Sequence, residues 1–200
     1  MADTKRKPHT LTSEFTRILC ISAHPDDNEF TIAGSVGRWA REGRDVVFCL
    51  VTTGGAGTNE HTPDNTGLLP IRERESWDAA KILGVKDLVF LGYQDGVVEP
   101  TLALRRDLTR VIFPELLAEG LEPHKVKEVF ISGAIPPDTY IDIGDTLALK
   151  CAALKAHVSQ VGKGEWVDDL LRAWALRDGK EVGVDHAEAF KRMALWRGDS

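Results

Sequence analysis

The chain has 200 residues, of which 42% are hydrophobic and 28% are charged, and its formal net charge is −6. This length and composition are typical of one domain with a hydrophobic core, and the acidic balance argues against nucleic-acid binding, which needs a concentrated basic surface. No stretch approaches the roughly 18–20 apolar residues of a membrane span, and the polar first residues lack the apolar core of a signal peptide.

The first half of the chain alternates apolar, β-branched stretches with helix-like stretches. We predict strands at 18–23, 45–53 and 87–91 and helices at 30–42, 71–83 and 102–112. Successive strand–helix units form parallel strands with right-handed crossovers. The pattern therefore predicts an α/β fold, with a Rossmann-like three-layer α/β/α arrangement around a mostly parallel central sheet.

After residue 112 the alternation becomes irregular. We predict strands at 126–132 and 140–143, Asp145 as the N-cap of a helix at 146–158, and helices at 166–177 and 187–193. We expect residues 1–200 to form one domain, with 1–15 as a flexible N-terminal arm.

The three cysteines lie far apart in the sequence, and Cys20 and Cys49 lie within apolar runs. Such cysteines are typical of buried thiols, whereas secreted proteins use cysteines as a disulfide framework. We therefore expect free thiols and a cytoplasmic location.

The motif Ala23-His24-Pro25-Asp26-Asp27-Asn28-Glu29 follows the first predicted strand. Ligand sites of open α/β sheets lie at the carboxyl ends of strands, and imidazole and carboxylate groups are ligands of divalent metals. We expect His24 and Asp27 to bind a metal ion and Asp26 to act on a metal-bound water. The alternative is that Pro25-Asp26-Asp27 forms only a turn.

A glycine-rich loop, Gly54-Gly55-Ala56-Gly57, follows the second predicted strand. It lacks the Lys-Ser/Thr of a P-loop and the spacing of a dinucleotide-binding fingerprint, so a nucleotide or phosphate site is the weaker interpretation. Glycine permits close approach of the backbone, and we expect the loop to lie beside the pocket.

These features resemble, in order along nearly the whole chain, the PIG-L / LmbE-like zinc-dependent N-deacetylase family. Besides the motif at 23–29 and the loop at 52–58, the resemblance rests on R-E-R-E (72–75), A-A-K-I-L-G-V (79–85), L-G-Y-Q-D-G (91–96), Y-I-D-I (140–143), the segment 150–160 and A-E-A-F (187–190). The resemblance implies a hydrolase that removes an N-acetyl or other N-acyl group from a GlcNAc-type amino-sugar conjugate.

The resemblance also implies roles for individual residues. It assigns Zn²⁺ binding to His24, Asp27 and a second histidine, the general base to Asp26, and substrate contacts to Arg72 and Asp95. The implied partner is a small-molecule amino sugar, with neither nucleic acid nor membrane, and relatives of this kind are often homo-oligomers.

The residues themselves leave alternatives for the two substrate contacts. Arg72 could pair with Glu73 or Glu75 on an exposed helix face. Asp95 could simply be the first residue of an Asp-Gly turn.

The second metal-binding motif of the family, of the His-x-x-His type, has no match in this chain. By resemblance, that motif and a fourth strand would lie at the junction of residues 112 and 113. Three explanations stay open: a segment omitted from this sequence, a natural deletion or mis-spliced form, or a different residue that completes the site. A catalytically incomplete relative that acts as a binding or interaction module is accordingly the alternative function.

Four of the other histidines do not match the lost ligand; they are His61, His124, His157 and His186. We expect His157, which lies in the segment 150–160, to be a structural hydrogen-bonding residue.

Overall fold

The computed structural model describes residues 7–12, 14–57, 67–112 and 126–195. In chain order its elements are β1 (Arg17–Ser22), α1 (Asp27–Thr31), α2 (Ala33–Arg41), β2 (Asp45–Thr52), α3 (Leu68–Leu83), β3 (Asp87–Tyr93), α4 (Leu102–Ile112), β4 (Glu128–Ser132), β5 (Thr139–Asp142), α5 (Leu147–Lys155), α6 (Val158–Val161), α7 (Val167–Lys180) and β6 (Ala187–Ala194). The junction of residues 112 and 113 lies at the boundary of the described residues, because 113–125 fall outside them.

The described strands form two three-stranded sheets. In the first, β2 lies between β1 and β3 and pairs with both in the parallel direction. In the second, β6 lies between β4 and β5 and pairs with both in the antiparallel direction. The fold is thus α/β with a parallel three-stranded sheet, as predicted. Strands β4, β5 and β6 do not extend that sheet, and the three-layer arrangement stays a prediction.

Residues 187–193, predicted as a helix, belong to strand β6, so that prediction is wrong. Alanine, glutamate and methionine, which dominate this segment, favour helices. However, β6 pairs with a strand on each side, and its Ala187 and Phe190 side chains are buried. Pairing along both edges and burial of side chains on both faces of the strand outweigh the local preference.

The predicted helix at 30–42 is two helices, α1 and α2, which meet at Ile32. Ile32 has φ −129° and ψ 4°, so the regular helix ends and restarts there. The N–H groups of Gly34 and Ser35, at the start of α2, donate to the carboxylate of Glu188 at 2.9 and 2.8 Å. Lys150 of α5 donates to the same carboxylate at 2.5 Å, and both side chains are buried. Strand β6 and helix α5 therefore hold the start of α2, shortly after the motif.

The N-cap of α5 is Thr146 and not Asp145, which corrects a second prediction. The hydroxyl of Thr146 is buried and donates to the carbonyl oxygen of Gly34 at 2.7 Å, whereas Asp145 is exposed. Helix α5 also ends at Lys155, before the predicted end at 158, and the short helix α6 follows it.

One hydrophobic core joins the two sheets. Phe48 of β2, Leu154 of α5, Leu171 of α7 and Phe190 of β6 are almost completely buried and belong to the same cluster. Phe130 of β4 packs edge to face against Phe190, with ring centroids 5.8 Å apart. Because the second sheet shares its core with the first, its side chains can support the strands that carry the motif.

The three cysteines, Cys20, Cys49 and Cys151, are buried and free, as predicted. Burial raises the pKa of the Cys20 thiol to about 12 and that of the Cys49 thiol to about 11. Since the thiolate is the reactive and metal-binding form, these thiols are packing groups in the core. A membrane-crossing helix is also absent from the described ranges, where no helix is both long and apolar enough.

Candidate active site

The candidate site lies where the three parallel strands end. His24, Asp26 and Asp27 follow β1, the glycine-rich loop follows β2, and Asp95 follows β3. Parallel strands end at the same edge of a sheet, where α/β proteins bind ligands. A cavity of about 450 Å³ opens there, lined by Ile21, Ser22, Ala23, His24, Val51, Thr52, Asp95, Gly96 and Val98.

His24 has a carboxylate beside each ring nitrogen. Its Nε2 lies 2.8 Å from Oδ1 of Asp95, and its Nδ1 lies 3.3 Å from Oδ2 of Asp27. The backbone N–H of His24 also donates to Asp27 Oδ2 at 2.8 Å. These contacts hold the imidazole in one orientation. Because the side chain is still 38% exposed, it also reaches the cavity.

Asp95 joins the end of β3 to the glycine-rich loop. Its Oδ1 faces His24, and its Oδ2 accepts a hydrogen bond from the backbone N–H of Ala56 at 3.1 Å. Gly96, with φ 80°, allows the turn that follows. The proposed Asp-Gly turn is therefore present, but the side chain of Asp95 is also a part of the site.

Asp26 has the most unusual backbone of the motif. Its φ of 108° makes it the one non-glycine residue with a positive φ within the described ranges, and such strain clusters at functional sites. Its side chain is 13% exposed and lies 3.3 Å from Nη2 of Arg72. Burial raises the pKa of Asp26 to about 6, although the nearby Arg72 and His157 oppose the rise. A carboxylate with that pKa is suited to accept and return a proton near neutral pH.

Arg72 of α3 is buried, at 3% exposure. Its guanidinium donates to the carbonyl oxygens of Gly54 and of Pro25, the latter at 2.6 Å. The alternative of an exposed pair with Glu73 or Glu75 is thus wrong. Arg72 instead connects the motif, the glycine-rich loop and the carboxylate of Asp26, while its predicted substrate contact stays a prediction.

Glu75 lies one turn further along α3 and is also buried. It accepts hydrogen bonds from the backbone N–H and the hydroxyl of Ser159, at 2.7 and 2.6 Å. This contact fixes the segment around α6 against α3.

The pair of Glu29 and His157 was missed by reasoning from the sequence. Both side chains are buried, and His157 Nε2 lies 3.6 Å from Glu29 Oε2. Within the described ranges, neither ring nitrogen of His157 has a partner at hydrogen-bond distance, so the predicted structural hydrogen bond of its side chain is not formed there. Glu29 lies in the family-like segment 23–29, and His157 lies in the family-like segment 150–160. The presence of an ionisable residue in each segment is the signal that could have indicated the pair.

His24 and Asp27 fit two ligand positions of a zinc site. Zinc binds histidine nitrogen and carboxylate oxygen tetrahedrally at roughly 2.0–2.2 Å, which places adjacent donor atoms roughly 3.3–3.5 Å apart, as His24 Nδ1 and Asp27 Oδ2 are. The described residues contain no group of three or more His, Cys, Asp or Glu side chains that could hold a metal. His61 and His124 lie outside the described residues.

A family model described as "PIG-L: GlcNAc-PI de-N-acetylase" matches residues 19–126, which is 108 of the 200 residues. The diacetylchitobiose deacetylase of Thermococcus kodakarensis is 26% identical over 223 residues, with 90% of this chain and 84% of the relative covered. A probable N-acetyl-alpha-D-glucosaminyl L-malate deacetylase 2 of Bacillus anthracis is 31% identical over 124 residues, covering 60% of this chain and 53% of the relative.

Solved structures agree with the sequence comparison. The N,N'-diacetylchitobiose deacetylase of Pyrococcus horikoshii, complexed with its inhibitor MPG, superposes with a TM-score of 0.80 at 25% identity, covering 90% of this chain and 84% of that chain. The 4-carboxy-2-hydroxymuconate hydratase GalB of Pseudomonas putida superposes with a TM-score of 0.72 at 16% identity, covering 92% and 99% of the two chains. The second likeness concerns the fold alone, so any assignment of chemistry has to rest on the site.

Proposed function

The chain belongs to the PIG-L: GlcNAc-PI de-N-acetylase family, and on that premise we propose that it hydrolyses the N-acetyl amide of a GlcNAc-type amino-sugar conjugate. Two relatives of this chain carry names that specify deacetylation of diacetylchitobiose and of an N-acetylglucosaminyl malate. The observation that carries the proposal is the position of Asp26, a largely buried carboxylate whose pKa is raised to about 6, directly beside His24 and Asp27, to which we assign metal binding.

In the proposed mechanism, Asp26 accepts a proton from the water that attacks the amide carbonyl. The same carboxyl then returns this proton to the amine as the C–N bond breaks, so that acetate and a free amino sugar result. Arg72 holds the Asp26 carboxylate and the carbonyl oxygen of the preceding residue, Pro25. His24 and Asp27 would bind Zn²⁺, which when bound polarises a carbonyl and lowers the pKa of water toward ~7.

The direct test is acetate release from N-acetylated chitobiose and from GlcNAc conjugates, measured with and without added Zn²⁺. We expect Asp26→Asn to lower kcat by about 100- to 10,000-fold, the usual contribution of a general base. The matched control is Asp78→Asn, which changes an exposed carboxylate of α3 and should leave the rate unchanged. Equal rates for wild type and Asp26→Asn would refute the assignment of the base.

A second candidate function is a binding module without turnover. The observation that favours it is that two zinc ligands, and not three, lie within the described parts of the chain. This function predicts that an N-acetylated sugar raises the melting temperature, as a ligand of the native state does, while no acetate is released at any Zn²⁺ concentration.

The remaining expectations also belong to this proposal. We propose a small-molecule amino sugar as the partner, without nucleic acid or a membrane surface, together with self-association into a homo-oligomer. The buried, free cysteines support a reducing compartment such as the cytoplasm.

A further inference from the structure

We propose that Asp95 is a positioning residue for the metal ligand His24: it holds the Nε2 side of the imidazole, so that Nδ1 is left free to bind the metal together with Asp27. This inference rests on the proposed function, because it assumes that a metal acts at His24. It assigns Asp95 a different task from the substrate contact that the resemblance implies.

The two ring nitrogens of His24 make unequal contacts. Nε2 lies at hydrogen-bond distance, 2.8 Å, from Asp95 Oδ1, whereas Nδ1 lies 3.3 Å from Asp27 Oδ2. A carboxylate can only accept, so the nitrogen bonded to Asp95 carries the proton. The lone pair of a neutral imidazole is then on Nδ1, which faces Asp27 at the spacing of two zinc ligands.

The side chain of Asp95 is itself fixed. Its side chain is 9% exposed, and its second oxygen accepts from the N–H of Ala56. Asp27, in contrast, has a side chain that is 39% exposed. Both oxygens of Asp95 thus have partners within the protein, and the better anchored of the two carboxylates is the one that orients the ring.

The contact of Asp95 with His24 matches the general chemistry of histidine ligands. A histidine that binds a metal through one nitrogen usually donates its other N–H to a carboxylate or carbonyl, which fixes the ring and raises its basicity. Loss of such a partner typically weakens metal binding about 10- to 100-fold. The contact between Asp95 and His24 has this geometry, and His24 is the histidine of the motif to which metal binding is assigned.

The test is Zn²⁺ affinity in the absence of any substrate, measured by competition with a chelator. We expect Asp95→Ala to weaken Zn²⁺ binding about 10- to 100-fold. Asp95→Asn, whose amide oxygen can still accept from Nε2–H, should lose less. Glu99→Ala removes an exposed carboxylate four residues further along the chain and should bind Zn²⁺ as the wild type does.

A spectroscopic readout separates positioning from a loss of folding. In zinc-loaded protein with ¹⁵N-labelled histidine, the His24 proton should reside on Nε2, and in Asp95→Asn its resonance should shift while the other histidines keep theirs. A proton on Nδ1 of the zinc-loaded wild type would overturn the inference.

Two further outcomes distinguish this inference from the proposed function. Unchanged Zn²⁺ affinity in Asp95→Ala combined with a higher KM would overturn the inference and make Asp95 a substrate residue; a wild type that binds no Zn²⁺ would overturn it as well. Zinc binding that depends on Asp95, without release of acetate from any substrate, would support the inference and count against the proposed function.

Discussion

The substitution Asp26→Asn, which should lower kcat by about 100- to 10,000-fold, should also make the metal-free protein more stable. The carboxylate of Asp26 is largely buried, and its pKa is raised because burial disfavours the charged form. Asparagine has a similar shape, tolerates the left-handed backbone of this position and never carries the charge. The variant therefore removes an ionised group that the folded state accommodates at a cost.

The size of this effect follows from the pKa of Asp26, which rises from 3.8 to about 6. The difference, 6 minus 3.8 or about 2.2, costs the folded protein about 3 kcal/mol at roughly 1.36 kcal/mol for each pH unit. The folded state binds this proton more tightly than the unfolded chain does. The contribution to stability is therefore complete below a pH of about 4 and is lost as the pH rises through about 6.

The assay is urea unfolding of wild type and Asp26→Asn in the presence of EDTA, at several pH values between about 4 and 8. We expect similar free energies of unfolding near pH 4 and a variant that is more stable by about 2–3 kcal/mol near pH 8. Asp78→Asn should show no such pH-dependent difference. A difference that is the same at both ends of the pH range, or a variant less stable than wild type at pH 8, would refute the reasoning.

Two further predictions concern the groups that hold the site. Glu188→Ala leaves the buried Lys150 without its carboxylate partner, so we expect the free energy of unfolding to fall by about 3–5 kcal/mol, measured by urea unfolding. Gly54 has a φ of 66°, and Gly54→Ala places a methyl group against the guanidinium of Arg72. The backbone strain alone costs roughly 1–2 kcal/mol. We expect the clash with Arg72 to lower stability by more than that and to lower kcat. Gly133→Ala, at a similar φ but with no atom nearby, measures that strain by itself.

A control variant for each of these two substitutions shows which result would contradict the prediction. Lys81→Ala breaks an exposed ion pair with Asp78 and should change stability by at most about 1 kcal/mol; a similarly small effect of Glu188→Ala would show that the buried pair is not a main support. Equal losses for Gly54→Ala and Gly133→Ala would show that Arg72 moves aside without cost.

The strands and helices of the first half could be predicted because their signals are local. Apolar, β-branched runs mark β1, β2 and β3, and glycines mark the ends of the helices between them. The parallel pairing of these strands follows from their alternation with helices. The second half depends on distant partners. Strand β6 has the composition of a helix, and only its two neighbouring strands make it a strand.

The site could be predicted in part for the same reason. His24, Asp26 and Asp27 are adjacent in the chain, so their pattern is visible in the sequence. The contact of His24 with Asp95 joins residues 71 positions apart, and it forms because β1 and β3 end at one edge of the sheet. The burial of Arg72 could not be derived from its helical segment, since charged residues on helices are usually exposed.

The contacts of Glu188 also have a consequence for the order of events during synthesis on the ribosome. Its carboxylate binds N–H groups that lie 154 and 153 residues earlier in the chain. At roughly 5–20 residues per second, the start of α2 is synthesised about 8–30 s before its acceptor. Strands β1, β2 and β3 can pair in that interval, but the start of α2, shortly after the candidate base, finds its acceptor only when β6 has been synthesised.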